Sequence, residues 1–534
     1  MSSVSTSSEA SQPLSSLRPF KHRAFAVIWT ATLVSNIGIW MQNAAADWLM
    51  TTLDPEPQIV AMVQAAAALP MFLLGLPAGA FADMFDRRRL LLRMETIGTL
   101  LTACFALLTA LGRATPLSLL AFLFLAGAAA ASIAPAWQAI LPQLVEGKDD
   151  LAPAVSLDSV GINISRAIGP ALAGLIIGSW GMAAPFWINA CCNLGVIAAL
   201  AWWRPAEIAE NAVPKEHFGS AIMAGLRHAR YNRPLRATLV RAAGFFLFAS
   251  AYWALLPLLV RNQVGGGSGL YGLLLGAIGA GAVIGTTFMP RIKARLGPDR
   301  LVGLGSAITA LALLLFGLAS HPATAFGACV LAGLSWIAVV ATLNVSAQVA
   351  LPAWVRGRGL AAYTTVMFGS LTLGSALWGR AAAMMGLPAA HSLAAVGAIA
   401  AIPLLRRCKL QTGAQLDLMP SMHWPEPVIT NEVDDERGPV LVTIEYRVRT
   451  QDREAFLAAI HPVASERRRD GAYRWGVFED TAIAGRWVEM FLVDSWAEHL
   501  RQHARVTNAD LAMEQALRRF QVDGPPIVTH FLAP

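Results

Sequence analysis

Twelve stretches of mostly apolar residues follow one another along this chain, near 25–51, 58–82, 90–111, 116–144, 152–178, 184–203, 238–260, 270–290, 301–319, 323–351, 359–382 and 388–405. A bilayer-crossing helix needs roughly 20 such residues. In hydrocarbon the backbone polar groups must be satisfied within the segment, so these stretches read as helices. Only 14% of the 534 residues are charged, against about 25% in a soluble chain. A transmembrane bundle is therefore expected, in a lipid bilayer.

The net charge of +7 does not point to nucleic acid, because the basic residues fall in alternate loops. Arg18, Lys21 and Arg23, then Arg87, Arg88 and Arg89, Lys148, the run from Lys215 to Arg236, Arg291 to Arg295, Arg356 and Arg358, and Arg406 to Lys409 share one side. The other side holds little more than Arg113, Arg261 and Arg380. The positive-inside rule makes the basic side cytoplasmic. The expectation is a multi-pass protein of the inner (plasma) membrane with both termini in the cytoplasm.

The chain is also duplicated. Gln138-Ala-Ile-Leu-Pro-Gln-Leu-Val-Glu-Gly-Lys148 returns 210 residues later as Gln348-Val-Ala-Leu-Pro-Ala-Trp-Val-Arg-Gly-Arg358, and Gly169-Pro-Ala-Leu-Ala-Gly174 is answered by Gly374-Ser-Ala-Leu-Trp-Gly379. Two six-helix pseudo-repeats follow, over 18–204 and 237–408, joined by a cytoplasmic linker at 205–236 that is the expected hinge. Repeated bundles of this kind commonly carry solutes. Residues 1–17 read as a disordered tail. A polar linker at 409–436 leads to a domain at 437–534 patterned strand, helix, strand, strand, helix, strand, with single helices expected over 453–469 and 497–520. This is the order of a ferredoxin-like α+β sheet. The fold class is thus an all-α membrane protein with a small α+β domain at its C-terminus.

The loop Gly79-Ala-Phe-Ala-Asp83-Met-Phe-Asp86-Arg87-Arg88-Arg89 resembles the loop between spans two and three of the major facilitator superfamily. That resemblance implies a gate, with Gly79 and Asp83 latching the other half and Arg87 and Arg88 as its basic pair. Met84 and Asp86 depart from the family pattern. Ser35-Asn36-Ile-Gly38-Ile-Trp40-Met-Gln42 and Asn163-Ile-Ser-Arg166-Ala-Ile-Gly169-Pro170 are similar to the branch typified by the enterobactin exporter (transmembrane secretion effectors), a likeness that covers roughly 18–408. It implies alternating access and proton-coupled export of a small organic molecule, a siderophore or drug-like compound. Gly169 and Pro170 resemble the family's antiporter motif, which implies a gating role for them. The tail resembles the antibiotic-biosynthesis-monooxygenase-like dimeric barrels around Val488 to His503, which implies a homodimer through this domain.

Asn36, Trp40, Asn43 and Asp47 are spaced by 4, 3 and 4 residues and so share one face of the first span. Arg166 falls near the middle of the fifth span. Intramembrane ionisable groups are costly and are functional candidates by default. Arg166 is expected either to pair with Asp158 or Asp47 or to recognise an anion in the cavity. Phe245, Phe248 and Tyr252 follow Arg241 on one face of the seventh span, an aromatic wall suited to flat substrates or to packing. The candidate substrate site is therefore Asn36, Trp40, Asn43, Asp47, Arg166, Phe245, Phe248 and Tyr252. No cofactor, no catalytic residue and no metal site is expected. His499 and His503 share a helix face without a third ligand at recognisable spacing, so surface or dimer contact is expected of them. An alternative is a membrane-tethered monooxygenase-like enzyme or a regulatory scaffold built on the tail. No ATP-binding glycine-rich loop is present, which disfavours primary active transport.

Overall fold

A computed structural model describes residues 17–534 apart from 85, 146, 205–217, 412–416, 425–432 and 534; the side chains of 78–84, 148, 218–222, 224, 290, 353 and 504 also lie outside the description. Among the described residues, twelve helices are long and apolar enough to cross a membrane. The N-terminal half comprises α1 (Arg23–Leu53), α2 (Pro57–Met84), α3 (Arg87–Ala110), α4 (Pro116–Ile140), α5 (Lys148–Trp180) and α6 (Ala184–Trp202). A surface helix, α7 (Phe218–Tyr231), leads into α8 (Arg233–Leu258), α9 (Ser268–Gly317), α10 (Pro322–Val349), α11 (Arg356–Met385) and α12 (Leu387–Leu404). α9 holds two crossings, because Gly297 adopts φ 70° and breaks the helix between them.

Local chemistry sets the helix ends. Proline fits the first turn, where its missing N–H has no partner to lose, and it opens α4, α6, α8, α10 and α12. Thr115 and Ser118 form a capping box on α4, and Asp86 caps α3 by accepting from the Arg89 backbone N–H. The duplicated ends match: α5 stops at Gly181 with φ 84°, and α11 stops at Gly386 with φ 83°. Left-handed backbone of this kind favours glycine.

The duplicated glycines show how the halves are built. A side chain at Gly169 would strike Trp40 and the Ile37 carbonyl on α1, and one at Gly374 would strike Ser250 and the Leu247 carbonyl on α8. Each packs the fifth helix of its half against the first. Gly174 faces Ser268 and Gly269 on α9, while Gly379 faces Pro57 and Ala61 on α2. Each packs the fifth helix of one half against the second helix of the other. The two inter-half seams, α5 with α9 and α11 with α2, are thus related by the repeat.

The C-terminal domain is a four-stranded antiparallel sheet of β1 (Val440–Arg447), β2 (Arg474–Glu479), β3 (Arg486–Val493) and β4 (Ile527–Leu532), in the order β2-β3-β1-β4. Val440, Val442, Ile444 and Tyr446 point to the buried face with Trp487, Phe491 and Val493. The two long helices expected from the sequence are each broken. Pro462 separates α13 (Arg453–Ile460) from α14 (Val463–Asp470), and between α15 (Trp496–Arg505) and α16 (Asn508–Arg518) extended Val506 ends one helix and Thr507 caps the next. Proline cannot supply the N–H that a continuous helix needs, and threonine favours the cap position.

This domain docks on the C-terminal half. Arg227 on α7 pairs with Glu498 on α15 at 3.0 Å, and Glu498 also accepts from Arg505 at 2.6 Å. The Arg505 guanidinium lies 4.5 Å from the ring centroid of Trp354, in the loop between α10 and α11. The connection between halves, expected as a hinge, thus carries a helix that contacts the tail; its residues 205–217 lie outside the description.

Candidate functional site

A cavity of about 410 Å³ lies between the halves. From the N-terminal half α1 contributes Trp40, Asn43 and Asp47, α2 contributes Gln64, and α5 contributes Arg166 and Pro170. From the C-terminal half α8 contributes Trp253, α10 contributes Trp336, and α11 contributes Met367, Phe368 and Ser375. The polar stripe read on α1 has its reverse face in the packing: Ser35 donates to Asn193 at 2.6 Å, Gln42 accepts from Asn189 at 2.8 Å, and Gly38 lets α6 approach. One side of α1 holds α6 while the other lines the cavity.

Arg166 has no ion pair among the described residues. Its guanidinium carbon sits 5.1 Å from the Trp40 ring centroid, a cation–π contact, and its buried Nε has no hydrogen-bond partner. The acids expected to neutralise it are engaged elsewhere. Asp158 accepts from the Trp137 indole at 3.3 Å. Asp47 accepts from Gln64 Nε2 at 3.2 Å and from the Tyr271 hydroxyl at 3.0 Å. A charge within a membrane span is costly unless it is paired or wetted, and Arg166 presents its charge at the cavity wall beside Trp40.

Asp47 also marks the closed end. It lines the cavity, is buried, and accepts from Tyr271 of the opposite half. Trp48 stacks on Tyr271 at 5.7 Å, and Arg261 donates to the Thr51 carbonyl and, at 3.2 Å, to its hydroxyl. Arg380 reaches Gln58 at 3.1 Å. These contacts join the halves at the end away from the basic loops.

Other candidates lie off the cavity. Asn36 is not part of its lining. Phe245 packs on Phe246 and Trp336, Phe248 on Trp378 and Gly397, and Tyr252 on Phe316, all inside the C-terminal half. Arg241, on the same face, is held by Asp299 at 3.0 Å and by the Cys408 carbonyl at 2.8 Å. In this structure the stripe packs within the C-terminal half, behind the aromatic residues Trp253, Trp336 and Phe368 that line the cavity. Successive helix residues point about 100° apart, so Trp253 faces the cavity because its neighbour Tyr252 faces inward. Gln64 is visible in the sequence as the one polar side chain between Ile59 and Pro77.

Among the gating candidates, Gly79 and Asp83 belong to the last turns of α2, but their side chains lie outside the description. Arg88 donates to the Leu200 and Ala201 carbonyls at 2.8 and 2.7 Å, and Arg87 reaches the Ala139 carbonyl at 3.5 Å. Both bind helix ends of their own half. Gly169 holds α1, and the Pro170 carbonyl sits against Gly272 on the α5–α9 seam.

The C-terminal domain contains a second polar cluster. Arg467 is clamped by Glu489 at 3.1 Å and Glu514 at 2.8 Å, and Glu489 also accepts from Tyr446 and Trp475. Burial would raise the Glu514 carboxyl, but the Arg467 charge and the His423 hydrogen bond overcome it and bring it down to about 2. Burial, then the charges of His530 and His503, push His499 down to about 3.

The transmembrane secretion effector profile matches residues 14–533. The staphyloferrin A transporter of Staphylococcus aureus is 29% identical over 52% of this chain and 70% of that protein. The enterobactin exporter EntS of Shigella boydii is 26% identical over 70% of this chain and 89% of that one. Among solved structures, a bacterial homologue of the human lysosomal transporter Spinster, inward-facing and unoccupied, aligns with a TM-score of 0.57 at 15% identity, over 73% of this chain and 98% of that chain. The POT family transporter PepTSo aligns with a TM-score of 0.59 at 14% identity, over 72% and 97%. With twelve membrane-spanning helices, two matched seams and a cavity between halves, the chain is a multi-pass membrane protein and belongs to the transmembrane secretion effector family of the major facilitator transporters.

Proposed function

We propose that this protein is a secondary active transporter that exports a small organic molecule, siderophore or drug-like, by alternating access of the cavity between its halves. The observation that carries the reading is Arg166, a cation in the cavity wall with a buried Nε and no counter-ion among the described residues. An organic anion or acidic phenol would supply the missing partner, and Trp40, Trp253, Trp336 and Phe368 would hold a flat or apolar body by stacking and contact. The names of the staphyloferrin A and enterobactin relatives favour a siderophore.

In this reading the basic loops face the cytoplasm of an inner membrane, and protons are the coupling ion. Asp47 is the proposed proton carrier, since it is the ionisable group that touches the cavity, Gln64 and the Tyr271 closure together. The experiment is a comparison of medium and cell contents by mass spectrometry with and without the gene. A compound held in the cell when the gene is lost supports export; unchanged medium and contents refute it. Proteoliposome uptake under an imposed proton gradient tests coupling, which fails if the gradient leaves the rate unaltered.

The tail is proposed as a ferredoxin-like, dimerising and regulatory unit. Its antiparallel order supports the fold, and the uncovered sheet face bearing Phe478, Ile527 and Phe531 supports self-association. A monomeric mass for the purified full chain at working concentration would remove the dimer.

A further inference from the structure

His499 and His503 stand one turn apart on α15, the spacing at which two imidazoles share a helix face. The sequence supplies no nearby third ligand, but the sheet does. β4 pairs with β1 so that His530 stands opposite Val442, whose side chain is on the buried face beneath α15. His530 thereby reaches both helix histidines, with ring centroids 4.7 Å from His499, and one nitrogen from each of the three rings lies within 4.8 Å of the other two.

We propose that His499, His503 and His530 form a binding site for a first-row divalent cation, with zinc as the preferred ion. Tetrahedral Zn–N bonds of about 2.0–2.1 Å place neighbouring nitrogens about 3.3–3.4 Å apart. Nε2 of His499 and Nε2 of His503 are 3.3 Å apart. An N–H···N hydrogen bond explains that one distance, but it does not explain why a third ring converges on the same point.

The surroundings fit a metal. Oε1 of Gln502 lies 3.4 Å from Nδ1 of His499 and can take the Nδ1 proton, which leaves the Nε2 lone pair aimed at the shared point. Second partners of this kind fix the tautomer of ligating histidines. Trp496 packs against His499 and His530, and Trp424 packs edge-on against His503, so aromatic surface limits access of water. Three neutral nitrogens suit zinc, and a water would complete four-coordination. The site is independent of the transport reading. It sits one residue from Glu498, which ties the tail to Arg227, so the ion would stiffen the helix that makes this contact.

The test uses the full-length protein purified in detergent and stripped of metal, titrated with Co²⁺ and then with Zn²⁺. A single Co²⁺ per chain with the intense visible bands of a tetrahedral nitrogen site, displaced by Zn²⁺, is expected. His503→Gln and His530→Gln should each abolish the bands, and Gln502→Leu should weaken binding about 10- to 100-fold. The metal-free melting temperature of each variant controls for folding, and half-buried His530 on an edge strand gives a second variant if His503→Gln misfolds. A featureless cobalt titration of the wild type, or bands that persist in both histidine variants, overturns the site.

Discussion

The two halves of the membrane bundle share their scaffold and differ in what they present to the cavity. Gly169, Gly174 and Gly181 have counterparts in Gly374, Gly379 and Gly386, and each pair does the same work in packing or in ending a helix. The lining does not repeat. The N-terminal half contributes Asn43, Asp47, Gln64 and Arg166 beside a single tryptophan, Trp40, and the C-terminal half contributes Trp253, Trp336, Met367 and Phe368 beside a single hydroxyl, Ser375. A duplicated chain can hold its helix contacts constant while its two halves present different linings, the charged groups on one side and most of the aromatic rings on the other. The tail adds to this asymmetry, since its ion pair with α7 and its contact with Trp354 both fall on the C-terminal side.

The largest effects should come from breaking what the halves share. Valine at Gly169 or Gly374 would drive a branched side chain into α1 or α8. Overpacking of this kind costs about 1–3 kcal/mol or more, and the two variants should lose thermal stability in detergent by similar amounts. A loss confined to one of them would break the equivalence.

Acid should act next, and in the tail it acts through Glu514. Glu514 is held at about 2 against an ordinary 4.5, so the unfolded domain binds the proton more readily than the folded one. Its contribution is present above pH 4.5 and is lost as pH falls from there toward 2, on the order of 3 kcal/mol in all. Tryptophan fluorescence of Trp424 and Trp475 reports this domain. Glu514→Gln should be less stable at neutral pH and should flatten the acid dependence; a wild-type slope in the variant would contradict the assignment.

Changes to the lining should separate the halves. Arg166→Gln removes the unpaired cation, and loss of a charged hydrogen bond to an anion is worth about 1.5–3 kcal/mol, or roughly 10- to 100-fold in apparent affinity. Trp253→Ala or Trp336→Ala should remove about 0.5–1.5 kcal/mol of ring contact beyond the area lost, and should discriminate against flat substrates. Equal sensitivity of one substrate to all three changes would dissolve the division between halves. The smallest effect is expected from Tyr271→Phe, which removes one hydrogen bond to Asp47, about 1 kcal/mol. Spin labels across the end away from the basic loops should show that end opening more often, and an unaltered distance distribution would deny the closure its role.

Much of this architecture was legible in the sequence, for a physical reason. Spans announce themselves because lipid tolerates little but apolar helix, and the tail strands alternate because one sheet face is buried. The polar face of α1 and the charge at Arg166 were visible because such groups are rare in spans. What stayed hidden depends on rotation and on distant partners. Span eight supplied Tyr271 to Asp47, which no local spacing reveals. Tyr252 and Trp253 are equally aromatic, and only packing decides which one faces the cavity. His530 reaches His499 and His503 through strand pairing with β1, so its place follows from sheet register rather than from its own neighbourhood.

The most direct measurement is a three-way comparison by mass spectrometry of medium and cell extract from cells carrying the wild-type protein, no protein, or Arg166→Gln. The expected result is one organic acid or phenol enriched in the medium with the wild type and retained in the cells in the other two strains. Identical metabolite profiles in all three would contradict export through a cavity that uses Arg166.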